Sequence, residues 1–101
     1  MTAATQLRAA KARIATRETW CQGAYAVDAE GVRVTTDDSR AVRFCAVGAG
    51  LYGESYLTLL KAAQELYPTE GVPTYVNDHL GFEAVHRMYA RAIEIAESEG
   101  A

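Results

Sequence analysis

V-R-F-C-A-V-G-A-G-L-Y-G, from Val42 to Gly53, reads in two incompatible ways, and the fold turns on which is right. In one reading a short apolar strand runs into Gly48, Gly50 and Gly53, at the G-x-G-x-x-G spacing of dinucleotide-binding turns. In the other it is a buried helix whose alanines, glycines and Cys45 let neighbouring helices approach closely. The helical reading is preferred. Ala41, Phe44, Cys45, Gly48 and Tyr52 fall on one helical face, and Asp37, Asp38 and Ser39 form a helix-start cluster just before it. A buried helix would still lose roughly 1 kcal/mol per glycine against alanine, so this reading requires a close neighbour at the glycines.

The dinucleotide reading needs flanking parallel strands. Val42–Val47 would be one strand, the segment from Glu54 to Tyr67 the crossover helix, and Val72–Val76 a second strand closing on Asp78. Arg43 would then sit in a strand buried on both faces. The 41 residues before it offer a helix and a hairpin, with no parallel strand to complete a doubly wound sheet.

Outward from that stretch, Ala3, Leu7, Ala10 and Ile14 share one face and predict a helix over 3–18, capped by Thr2 or Thr5. Tyr25 and Val27 alternate with alanines, D-A-E-G supplies turn residues, and Val32 and Val34 flank Arg33. That pattern predicts a short β-hairpin or extended loop near 24–35. Ser55 can cap a helix over 56–67 carrying Tyr56, Leu59, Leu60, Ala63 and Tyr67, ended by Pro68. Thr69 to Gly81 reads as a loop. The last helix, 82–98, carries the stripe Val85, Met88, Tyr89, Ala92 and Ala96, with Glu83 placed to support Arg87. The expected architecture is therefore one all-α domain of four helices, 3–18, 39–52, 56–67 and 82–98, with 39–52 at its centre.

Composition narrows the function classes. A chain of 101 residues that is 50% apolar can bury roughly two-thirds of its unfolded surface as one domain. A net charge of −3 gives no general attraction to nucleic acid or anionic membrane. Arg8, Lys11, Arg13 and Arg17 do make the first helix basic, so a nucleic-acid face there is a minor alternative. No apolar run reaches the roughly 20 residues of a membrane span, and M-T-A-A-T-Q-L-R lacks the core of a secretory signal. The expected compartment is a reducing cytoplasm with Cys21 and Cys45 as free thiols.

Several motifs taken together resemble an uncharacterised family of small bacterial and phage proteins, domain-of-unknown-function family 6197. They are W-C-Q-G at Trp20 to Gly23, D-A-E-G at Asp28 to Gly31, and A-V-R-F-C-A-V-G-A at Ala41 to Ala49. N-D-H-L-G at Asn77 to Gly81 and the final amphipathic helix complete the pattern. The family commonly has threonine in place of Cys21, and tryptophan and proline in place of Val76 and Leu80. The resemblance implies a mostly helical fold and assigns no activity.

Two clusters could carry chemistry. Cys21, Cys45, Asp78, His79 and His86 are the residue types of a thiol nucleophile or a metal site. The bland alternative makes Cys45 a small buried hydrophobe, Cys21 a turn residue and His86 a surface position. Trp20, Gln22, Asn77, Asp78 and His79 are the candidate ligand-binding residues, with the indole as wall and amides as anchors. Their bland alternative is loop pinning, because Asn and Asp readily bond nearby backbone. No catalytic residue, metal or cofactor is assigned. The leading expectation is a non-catalytic interaction module acting through a protein partner or self-association, with some of Tyr52, Tyr56, Tyr67, Tyr75 and Tyr89 on its contact surface. A small-molecule-binding or enzymatic domain is the alternative.

Overall fold

The computed structural model describes residues 2–100. Four helices and a two-stranded antiparallel sheet make up the fold: α1 (Ala3–Arg13), β1 (Ala26–Val27), β2 (Arg43–Phe44), α2 (Glu54–Leu66), α3 (Pro73–His79) and α4 (Phe82–Ser98).

The core lies where α1, α2 and α4 meet, each burying a narrow apolar stripe against the others, and Val76 of α3 with Ala26, Phe44 and Ala46 joins it. On α4, Val85, Met88, Tyr89, Ala92 and Ala96 are all fully buried, which is the stripe the sequence spacing predicts. On α1, Leu7 and Ala10 are buried, and Ile14 just beyond the helix joins them. Many contacts are alanines, so the helices pack with little side-chain bulk between them. Thr2 caps α1 by accepting the Thr5 N–H at 3.1 Å.

α1 stops at Arg13 rather than running to residue 18. The Ile14 carbonyl, which would accept from residue 18 in a longer helix, is bound by His86 Nε2 at 2.7 Å. Thr16 and Thr19 then bond each other around a short 3-10 turn, Arg17–Thr19. His86 is thus a half-buried pin between α4 and the end of α1, packed on Phe82, and not a plain surface position.

Residues 39–52 are not a helix, and this corrects the central expectation. Arg43 and Phe44 pair with Val27 and Ala26 as β2 against β1, and tight turns follow. The reason is where the backbone groups go. Cys45 N–H donates to Tyr25 O at 3.1 Å, Ala46 N–H donates to Asn77 Oδ1 at 2.9 Å, and Ala46 O accepts the buried Tyr89 hydroxyl at 2.5 Å. Three partners from distant segments take what a helix would have kept. The helix-start cluster is instead a turn, in which Asp38 Oδ1 accepts the Arg40 N–H and the carboxylate pairs with the Arg40 guanidinium. That cation holds the Asp38 carboxyl at about 2.

The glycines do need a close neighbour, as the helical reading required, but the neighbour is a loop backbone. A Cβ on Gly48 would stand 2.0 Å from Tyr25 O. A strand does precede the glycine-rich turn and a helix does follow it. The region read as a second parallel strand is α3, so no βαβ unit forms.

The turn expected near 24–35 is present. Val34 N–H donates to Ala26 O and Asp28 N–H to Val32 O, with a bridge between Val27 and Arg33. β1 therefore has this returning segment on one side and β2 on the other. Residues 20 and 21 extend the layer beyond β2, through a parallel bridge from Trp20 to Phe44.

The fourth helix is α3, within the stretch expected to be a loop. Pro73 opens it, where a missing N–H costs nothing, and Val76 and Asn77 are buried against the rest of the fold. α2 begins at Glu54, two residues earlier than expected. Ser55 does not cap it from outside. It sits in the first turn and bonds both the N–H and the carbonyl of Tyr52. Glu83 pairs with Arg17, while Arg87 donates to the Tyr67 hydroxyl, so the expected Glu83–Arg87 pair is not made.

Candidate functional site

Asn77 is the residue on which the non-helical half of the fold is assembled. It lies in the last turn of α3, fully buried, and all four of its side-chain hydrogen-bonding positions are used. Oδ1 accepts Trp20 Nε1–H at 2.7 Å and Ala46 N–H at 2.9 Å. Nδ2 donates to Cys21 O and to Asp78 Oδ1, each at 3.0 Å. One amide thereby joins α3, the segment after the 3-10 turn, and the chain after β2.

The neighbouring residues complete the same junction. Gln22 Nε2 donates to the Asn77 carbonyl at 2.9 Å and the Asp78 carbonyl at 3.3 Å, satisfying the end of α3. Asp78 Oδ1 accepts the Gly23 N–H at 3.0 Å. Trp20 stands edge-on to Phe82, 5.6 Å between ring centroids. The structure thus gathers Trp20, Gln22, Asn77 and Asp78, and ties them to one another and to backbone through the Trp20 indole N–H, Gln22 Nε2, the Asn77 amide and Asp78 Oδ1. His79 is apart from them, exposed and stacked on Tyr75.

Beside this junction lies an open groove of about 600 Å³. Gly23, Ala24 and Tyr25 form one wall, Arg33 to Thr36 another, and Thr74, Tyr75 and Asp78 of α3 a third, with Cys45 also reached from it. Tyr25 and Tyr75 are 59% and 55% exposed, large aromatic surfaces left in water. A second hollow of about 190 Å³ shares Tyr25 and Thr36 with the first and ends at Leu51 and Tyr52, the latter 73% exposed. Sequence reasoning did not single out Arg33, Thr35, Thr36 or Thr74. The available signal was Tyr25 itself, an aromatic set between alanines too small to bury it.

The thiols are not poised for nucleophilic work. Burial, reinforced by Cys45 and Asp78, pushes the Cys21 thiol up to about 11, and burial pushes Cys45 up as well. Cys45 Sγ accepts the Gly48 N–H at 3.3 Å. Because the folded Cys21 value lies above the ordinary 9.0, its contribution to stability is present below pH 9 and is lost as pH rises toward 11. Alkylation of Cys21 by iodoacetamide in native buffer should therefore be slow at pH 8 and accelerate steeply above pH 10. A rate at pH 8 equal to that of a free thiol would contradict the burial.

Among the described residues, no three His, Cys, Asp or Glu side chains come together as a metal site would require. Three of the four basic residues expected on the first helix are engaged. Arg8 pairs with Glu97, Arg17 pairs with Glu83 and lies over the Phe82 ring, and Arg13 lies over the Phe44 ring. No described helix is long and apolar enough to cross a membrane.

Comparison with curated proteins and with solved structures returned no match. A family model does match, over residues 1–95, which is nearly the whole chain. The chain belongs to the family of unknown function DUF6197.

Proposed function

We propose that this domain is a non-catalytic interaction module, working in the cytoplasm, that receives an extended segment of a protein partner along the tyrosine-lined groove. The observation that carries this is the pair of contiguous hollows divided by Tyr25. An extended peptide projects alternate side chains to one side, roughly 7 Å apart, so two adjacent hollows separated by one ridge suit two such side chains. Tyr25, Tyr52 and Tyr75 supply rigid aromatic surface that loses little conformational entropy on contact. The platform beneath is held by Asn77, so the groove needs little rearrangement to bind.

A small molecule is the second reading, favoured by the size of the larger hollow, which falls in the range of ligand pockets. Here Trp20, Gln22 and the buried Asn77 act as the brace, and the direct contacts come from Tyr25, Thr35, Thr36, Thr74, Tyr75 and Asp78.

A random peptide display library panned on the purified domain separates these readings. The module should enrich linear peptides, and Tyr25→Ser with Tyr75→Ser should weaken them at least about tenfold, the usual scale for aromatic anchors. Both side chains are exposed, so the melting temperature should barely move. Enrichment of nothing, with a strictly monomeric mass at high concentration, would count against the module. Self-association blocked by the same two substitutions would identify a second copy as the partner.

A further inference from the structure

Two opposite charges are fixed at the larger hollow by a single residue. Gly23 donates its N–H to Asp78 Oδ1 at 3.0 Å, and its carbonyl accepts Arg33 Nη2–H at 2.7 Å. The carboxylate and the guanidinium are therefore held by the two successive peptide groups that flank the Gly23 Cα, and both residues line the groove with Tyr25 and Tyr75. Among the described residues neither takes part in an ion pair, although the surface elsewhere pairs its charges repeatedly. Asp78 Oδ2 accepts no hydrogen bond from the described residues, and the remaining N–H groups of Arg33 likewise make none.

We infer that the segment received by this groove is charged on both sides of its anchor, with a carboxylate for Arg33 and an ammonium or guanidinium for Asp78 flanking an apolar or aromatic side chain set between Tyr25 and Tyr75. This rests on the groove being a peptide site. Charge complementarity carries it. A guanidinium already oriented by one backbone bond presents its free edge to a carboxylate at reduced entropic cost. A carboxylate with one oxygen occupied by Gly23 and Asn77 keeps the other for a cation. A segment with two like charges would meet repulsion at one end of the hollow, so the same pair also excludes partners.

The probes are fluorescein-labelled blocked peptides sharing one central tyrosine, flanked by lysine and glutamate in both orders, by two lysines, by two glutamates or by two glutamines. Binding is read by fluorescence anisotropy on the whole chain. One order of lysine and glutamate should bind about tenfold tighter than the glutamine peptide, and added salt should erase the difference. Asp78→Asn keeps an oxygen for the Gly23 N–H and should remove only the lysine preference. Arg33→Gln should remove only the glutamate preference. Equal binding of charged and neutral peptides, still sensitive to Tyr25→Ser, would overturn the charge assignment and leave the groove standing. No binding by any peptide, or binding that Tyr25→Ser and Tyr75→Ser leave unchanged, would overturn both.

Discussion

Asn77→Ala should destabilise the domain by roughly 3–5 kcal/mol, lowering its melting temperature by about 15 °C or more. The substitution removes four hydrogen bonds at once and leaves the Ala46 N–H, the Trp20 indole N–H and the Cys21 carbonyl without their partner. A buried donor or acceptor stripped of its partner costs about 1–3 kcal/mol, and these three share one cavity, so the sum falls short of additivity. Domains of this size have only about 5–15 kcal/mol in total. Urea unfolding followed by Trp20 fluorescence is a suitable measurement, since the indole loses its acceptor in the variant. Asn77→Asp is the informative companion. It keeps an acceptor for Trp20 and Ala46 but sets a second carboxylate against Asp78 and the Cys21 carbonyl, which raises the pKa of the new carboxyl, so its deficit should shrink as pH falls toward about 4. An unchanged melting temperature in Asn77→Ala would mean that the residue is kept for a ligand, not for the fold.

Gly48→Ala should be at least as damaging, for a steric reason alone. Its added Cβ would lie 2.0 Å from Tyr25 O and 2.7 Å from the Tyr25 carbonyl carbon, and neither is the end of a flexible side chain. Relief requires parting the chain after β2 from the segment before β1, which breaks the Cys45-to-Tyr25 hydrogen bond and moves the floor of both hollows. A cost above about 4 kcal/mol, or failure to fold, is expected. Gly50→Ala supplies the contrast. Its φ of +109° strains any L-residue, yet its Cβ would meet only Arg13 Nη1, at 3.6 Å. That strain is worth about 1–3 kcal/mol, so the Gly50 variant should fold and the Gly48 variant should lose far more. Equal losses at the two glycines would contradict the close approach.

These two residues also explain how far the sequence could be read. The stripes on α1 and α4 were legible because a helix face is set by spacing within one segment, and Val85 to Ala96 declare it without help. The stretch after Val42 was not, because Phe44, Cys45, Gly48 and Tyr52 happen to share a helical face while the backbone of Cys45 and Ala46 is claimed by Tyr25, Asn77 and Tyr89. Those partners lie about 20 to 43 positions away, and no local pattern records them. α3 was hidden for the opposite reason. Asn77 and Asp78 favour turns locally, but here their side chains are occupied by Cys21, Ala46 and Gly23, which frees the backbone to stay helical. That Trp20, Gln22, Asn77 and Asp78 belong together was legible, since both segments are polar and flank helix ends. Their use as a brace for an adjacent groove was not, because the walls contributed by Arg33 to Thr36 meet α3 only in three dimensions.

The groove is tested most directly by amide NMR shifts during titration with the tightest peptide selected by display. Shifts should concentrate in residues 23–26, 33–36 and 74–78, extend toward Leu51 and Tyr52, and vanish in the Tyr25→Ser, Tyr75→Ser variant. Shifts confined to the exposed faces of α2 and α4, with the tyrosine groove silent, would contradict it.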